Sequence, residues 1–571
     1  MKKKYLLAVL ILSMVAAGGV AGCKSAGSTA GSTSSTSSST QSAAVTAAAS
    51  TTVTAADITY DDDDTNETWS EEDATTISLS GSLAEIDGDG ASEADGIITI
   101  NDAGAYVISG TLSDGQLVID AGSDDVVHLI LNGASITSSD GAAINAQQSG
   151  KLVITLADGT ENKITDGSTY SELDDSDEPD AAIFSKDDIT INGSGSLTVK
   201  GNYKNGIHSK DGLKIVNGTI TVDAANHTLS GKDYVAVGGG TLNLTSTEDT
   251  IHSATDVSIT DGSITINAGD DGIHADSTVT IDGGTIKIEK SNEGIEGTVV
   301  TINGGDVSVT ASDDGINGSN GLTGDSTDET TTEETTTDQT TDATNQPQPG
   351  DNAGGEPPGN NPGRGGDMGG SMENDESVLV EINGGTLYIN AEGDSIDSNG
   401  SLSITGGDIT IDGTTQGGNG IMDYNGTAEI TGGTITGVGT SDMAQLFSDS
   451  STQYSLLYGF DSTQSAGTKI TLKDSSGNEA ASITSAKTFG AVLISSSKLT
   501  EGGTYTLYAG DTKVADITLD SVNTTAGTIS GGMGGSQGGM GGGQNGMDNG
   551  QGGPGGNMGN GGPGGQRTQQ Q

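Results

Sequence analysis

The stretch Val257-Ser258-Ile259-Thr260-Asp261-Gly262-Ser263-Ile264-Thr265-Ile266 decides the fold, because its pattern returns as Val279 to Ile288 and again as Val300 to Val309. Within each copy apolar and polar residues alternate, the period of a strand buried on one face. The Asp-Gly pair at its centre marks a tight turn. Between the copies stands an isolated apolar residue, Ile207, Leu229, Ile251, Ile273, Ile295 and Ile316, at steps of 22, 22, 22, 22 and 21. The position extends back to Ile183, a step of 24, and forward past a long insertion to Ile396 and Ile421. Each unit therefore reads as strand, tight turn, strand, bend, short strand. Such a unit has no core alone, but stacked units pair every strand in parallel with its counterpart about 4.8 Å above and below. The expected fold is an all-β solenoid, a parallel β-helix. A sandwich of hairpins would not keep so regular a step.

Composition agrees with a thin repeat. Of 571 residues 93 are Gly, only 31% are hydrophobic and 3% aromatic, too little for one conventional core through the whole length. The turn positions Asn217, Asp261, Asp282, Asn303 and Asn383 are each followed by Gly, and stacked amides can hydrogen-bond along the axis. Around the regular coils, 57–318 reads as the β-helix with an N-terminal cap; its early coils show looser alternation at Tyr106 to Leu112 and Val126 to Ile136, with an acidic loop at Asp174 to Asp180. Residues 319–376 have the Thr, Asp, Glu, Gly and Pro composition of a disordered acidic insertion. The coils resume over 377–439, a small β cap or domain is expected at 440–525, and 526–571 is a Gly/Met/Gln tail expected to be disordered.

The N-terminus reads as an address. Lys2 to Lys4 precede an apolar run from Tyr5 to Val15, too short to span a membrane in the ordinary way. Val20-Ala21-Gly22-Cys23 looks like a lipobox, which makes 1–22 a lipoprotein signal peptide and Cys23, the one cysteine, the lipidation site. Residues 23–56 are nearly all Ser, Thr, Ala and Gly, the composition of a flexible tether. The expected location is the extracytoplasmic face of the cell membrane, anchored through Cys23, as a monomer. Formal charge is −58, and removal of Lys2 to Lys4 takes it to 18 − 79 = −61. Nucleic acid is excluded as a partner by that sign.

Stacking also lines up chemistry. Two residues before the recurring apolar residue stand Asp249, Asp271, Glu293 and Asp314, and one step earlier Glu248, Asp270, Asn292 and Asp313. Carboxylates stacked at about 5 Å repel by several kcal/mol at intermediate dielectric, so the column calls for a cation. Calcium suits it, taking six to eight oxygen ligands without strict geometry; a solvated, salt-screened acidic edge is the competing account. Three residues after the same apolar position come Lys186, Lys210 and Lys232, each followed by acid, Asp187, Asp211 and Asp233. The aspartates are further calcium candidates, and the lysines either contact acidic sugars or balance charge between coils. His208, His252 and His274 point outward beside the apolar column as candidate substrate contacts. A zinc site there is disfavoured, since Ser230 separates the first pair.

Ala142-Ala143-Ile144, Ile154 to Asn162, Ala182 to Asp188 and Gly206 to Asp211 carry a resemblance. Through them residues 78–445 resemble the bacterial carbohydrate-binding domain-containing lipoprotein family, of the clostridial cellulose- and polygalacturonate-binding β-helix type. The resemblance implies a right-handed β-helix with bound calcium, pectate-lyase-like architecture and polysaccharide binding. Asn226-His227-Thr228-Leu229 departs from the pattern where an acidic residue and Gly-Ile are expected. The function expected is non-catalytic, calcium-assisted binding of a cellulose- or polygalacturonate-like polysaccharide at the cell surface. Trp69 is the one Trp, and Tyr203, Tyr234 and Tyr388 do not recur at coil spacing, so an aromatic cellulose platform is not built in. A calcium-dependent pectate lyase would use Lys186, Lys210 or Lys232 as base, with Arg364 and Arg567 the only arginines. A structural adhesin is the third class.

Overall fold

A computed structural model describes residues 58–171, 173, 178–320 and 374–529. The signal peptide, Cys23, the tether, nearly all of the acidic insertion, most of the tail, and both arginines lie outside the described residues.

The described chain is nearly all β, a parallel solenoid of about 12 turns. Three ladders of paired strands run along it. On the first face Ile98, Leu117, Ile144, Ile183, Ile207, Leu229, Ile251, Ile273, Ile295, Ile316 and Ile396 are successive register partners in parallel strands. All are buried, because alternation turns this residue inward on every coil. The second face stacks Leu152, Ile189, Leu213, Val235, Val257, Val279, Val300 and Val380. The third stacks Ile164, Val199, Val222, Leu244, Ile266, Ile288, Val309 and Ile389. One hydrophobic core fills the space between them.

The register differs from the sequence reading at one coil. Asp423 N–H donates to the Ile396 carbonyl at 2.9 Å, and Ser398 N–H to the Asp423 carbonyl at 3.2 Å. Asp423 thus lies beside Asp397, and Met422, not Ile421, stands across from Ile396. Both residues are buried, and two adjacent apolar side chains leave the phase ambiguous in sequence. The insertion, by contrast, leaves the register intact. Ile316 pairs with Ile396 and Val300 with Val380, so the coils on either side of it are direct neighbours. Asn320 and Asp375, at its two ends, are hydrogen-bonded to each other.

The turn ladder forms. Asn303 Nδ2 donates to Asp282 at 2.8 Å, Asn383 Nδ2 to Asn303 at 3.0 Å, and Thr405 Oγ1 to Asn383 at 2.6 Å. At the bend before the first face, glycine is required sterically: a Cβ on Gly294 would lie 2.3 Å from the Gly315 carbonyl oxygen and from Val309 Cγ1.

Both ends are covered. At the N-terminal end Thr75–Gly81 pairs antiparallel with Leu83–Asp87, and Ala91–Ala94 with Ile97–Ile100. A strap begins with the single helical turn Asp62–Thr65 and lies on the outer side of the second face, where Asp64 is wholly buried. At the other end Thr434–Gly439 pairs antiparallel with Phe489–Ser496, which pairs with Ser455–Gln464. A separate four-stranded antiparallel sheet, built from residues between Lys469 and Thr518, packs a second core around Leu456, Phe489, Leu507 and Leu519. Covering the last coil removes an open strand edge.

Candidate metal and polysaccharide site

Two columns of ionisable side chains run side by side along the first face. One occupies the bend two residues before the buried apolar position: Asn205, His227, Asp249, Asp271, Glu293, Asp314 and Asp394. The other stands one residue after it, where the strand turns side chains outward: His208, Ser230, His252, His274, Glu296, Asn317 and Asp397. The sequence reading contained Asp249, Asp271, Glu293 and Asp314 of the first column and the three histidines of the second. It did not assign His227, Glu296, Asp394, Asp397 or Asp423 to a site.

The columns converge into compact groups. Ligand atoms of Asp271, Glu293 and Glu296 lie within 4.8 Å of one another, as do those of Asp394, Asp397 and Asp423, those of Asp249, Asp271 and His274, and those of His227, Asp249 and His252. The outer residues Glu248, Asp270 and Asp313 are exposed and Asn292 half-buried, and none joins such a group. Asp314 joins no group either, but accepts from the backbone N–H of Asp394 at 2.6 Å.

Electrostatics mark the same places. Burial, then the charges of Asp249, Glu293 and Glu296, push the Asp271 carboxyl far above the carboxylate range. Burial and Glu296 raise Glu293 to about 7. Burial with Asp397 and Asp394 raises Asp314 to about 8, and burial with neighbouring aspartates lifts Asp394 and Asp397 to about 7. Asp249 goes the other way: burial opposes its charge, but His274, with Nδ1 3.4 Å from its carboxylate, holds it low. Burial likewise disfavours charge on His274, yet Asp249 and Glu296 outweigh it and lift the imidazole to about 9. A row of carboxyls that would sooner hold protons than stand charged beside one another fits a hard divalent cation with oxygen ligands.

The remaining candidates are elsewhere or otherwise engaged. His208 Nδ1 is 2.6 Å from Asp180. Lys210 is ion-paired with Glu178, while Lys186 and Lys232 are exposed. These lysines and Asp187, Asp211 and Asp233 stand at the opposite end of the first-face strand, five and six residues, or roughly 16–20 Å of extended chain, from the acidic bend. Asp187 accepts from the Ser149 N–H at 2.9 Å. Burial and Asp233 raise the Asp211 carboxyl, but the three aspartates do not converge on a common point. The missed acids had a signal in both columns: the bend column continues past Asp314 to Asp394, and past His274 the outward column continues as Glu296, Asn317, Asp397 and Asp423.

Residues 94–338 match the family model described as carbohydrate-binding domain-containing protein. A protein of that description from Acetivibrio thermocellus is 43% identical over 137 residues, which is 24% of this chain and 48% of that protein. The chain thus spans about half the length of the curated relative it matches. A solved structure described as the polysaccharide lyase-like protein from C. thermocellum, a gadolinium derivative, is 34% identical with a TM-score of 0.34, over 41% of this chain and 93% of that one.

Proposed function

Since residues 94–338 belong to the carbohydrate-binding domain-containing protein family, we propose that this chain is a non-catalytic polysaccharide-binding protein whose first face is loaded with calcium. The observation that carries the reading is the convergence of Asp271, Glu293 and Glu296, oxygen donors from neighbouring coils that burial and mutual repulsion leave short of a cation. Asp394, Asp397 and Asp423 repeat the arrangement further along. Calcium bound to these groups would neutralise the ladder, and a chain carrying −58 needs that before an acidic polymer can approach. The long face suits an extended ligand. Cellulose- or polygalacturonate-like chains are the substrate class, and acylation at Cys23 would hold the protein on the extracytoplasmic face of the membrane.

Co-sedimentation with polygalacturonate and with cellulose, with and without chelator, tests the reading. Retention on polygalacturonate should need calcium and should fall in Asp271→Asn and Glu293→Gln. Equal retention in chelator would remove calcium from the account. A lyase is disfavoured because the lysines that could serve as base stand at the other end of the strand from the metal-type groups. Ultraviolet absorbance of polygalacturonate after incubation with protein and calcium separates the two, since new unsaturated ends mean lyase and bound polymer without them means binder.

A further inference from the structure

The histidine end of the ladder differs chemically from its acidic end. His227 and Asp249 occupy the bend column on successive coils, and His252 stands on the outward column of the second of these coils. Their ligand atoms lie within 4.8 Å of one another. The His227 and His252 rings are stacked, centroids 4.4 Å apart and 13° from parallel. His227 Nδ1 donates to the Asp249 backbone carbonyl at 3.2 Å and lies 3.8 Å from its carboxylate, which is also met by His274 Nδ1 at 3.4 Å and by the backbone N–H of Asp271 at 3.1 Å. His252 Nδ1 is buried and has no hydrogen-bond partner. Nearly all buried polar atoms in folded proteins are hydrogen-bonded, and one that is not calls for a partner.

We propose that His227, Asp249 and His252 form a separate site for a late first-row divalent metal ion, zinc being the representative case. Two imidazole nitrogens and one carboxylate oxygen are the donors such ions prefer, whereas calcium calls for six to eight oxygens. Three protein ligands leave one position of a tetrahedron open. Nitrogen and oxygen ligands about 2.0–2.1 Å from the ion lie about 3.3 Å from one another, so modest side-chain rotation closes the group. Ser230, the neighbour of His252 on the adjacent coil, does not interrupt the site, because His227 enters it from the other column.

Cobalt(II) is a suitable probe, added to full-length chelator-stripped protein. One equivalent should give a visible absorption band of a nitrogen- and oxygen-ligated ion, which zinc displaces and excess calcium does not. His252→Ser places on this coil the residue its neighbour already carries, so the fold should be kept, as circular dichroism would show. It should weaken cobalt binding by at least the roughly 10–100-fold that loss of even an outer partner costs. Asp271→Asn, in the acidic half, should leave the band in place. A band unchanged in His252→Ser, displacement by calcium as readily as by zinc, or no band at all would overturn the proposal. None of these results depends on whether polysaccharide is bound.

Discussion

Asp64 is the most heavily committed single carboxylate in the described structure. It has no exposed surface, yet its oxygens accept from Lys214 Nζ at 2.8 Å, Lys151 Nζ at 3.0 Å and Thr190 Oγ1 at 2.6 Å. Burial works against its charge, but Lys214, Thr190, Asp61 N–H and Lys151 together hold it at about 2. A carboxyl depressed on folding contributes stability that is present above its ordinary value of 3.8 and lost as pH falls through about 2. Asp64→Ala would leave the buried Lys214 without its carboxylate partner and Lys151 with Asp61 alone, and breaking such a buried pair costs about 3–5 kcal/mol. Chemical denaturation at neutral pH should show that loss, and the gap between variant and parent should close as pH approaches 2. An undiminished gap there would mean that the strap is held by something other than this ion pair. Gly294 makes a steric prediction of the same scale. Gly294→Ala must displace both the Gly315 carbonyl and Val309, and overpacking of this kind costs about 1–3 kcal/mol, to be read as a lower melting temperature.

A coil is the element that repeats, and its energetics should be local. In stacked repeats stability is close to a sum of unit and neighbour terms. Ser263 pairs with Thr285 and Ile264 with Ile286, so deleting residues 263–284 joins Gly262 to Thr285 in register. The shortened chain should keep its β circular dichroism and melt cooperatively. It should lose the Asp271 group while bringing Asp249 next to Glu293. Failure to fold would show that the coils are not interchangeable. The same locality explains what the sequence disclosed. Coils from 207 to 316 keep steps of 21 or 22 and were legible. Ile98, Leu117 and Ile144 belong to the same ladder, but their steps of 19, 27 and 39 to the next rung hide them. The C-terminal pairing was not legible beyond its strands, since the antiparallel return of Phe489–Ser496 onto Thr434–Gly439 leaves no period to detect. Half of the candidate site was visible as the acidic column. His227 was passed over because it breaks the acidic pattern at the very rung where the chemistry changes, and Glu296 because an acid there breaks the run of histidines.

Over the whole molecule, two kinds of repulsion act, and they can be separated. One is diffuse: a chain of −58 repels itself through solvent, and salt screens it. The other is confined to the half-buried ladder, where Asp314 is raised to about 8 and Asp394 and Asp397 to about 7 by burial and by neighbouring aspartates. For a carboxyl raised on folding, the unfolded chain releases its proton first. Stability is then fully present below the ordinary value of 3.8 and declines as pH climbs through 7 to 8. In chelator the melting temperature should therefore fall between about pH 5 and pH 8. Roughly 0.5 M sodium chloride should recover only the diffuse part, because buried pairs are poorly screened. Calcium should recover the rest, and by more at the higher pH, where the ligands no longer have to give up protons to bind it. Recovery by sodium chloride alone would assign the whole effect to surface charge and leave the ladder without a resident ion.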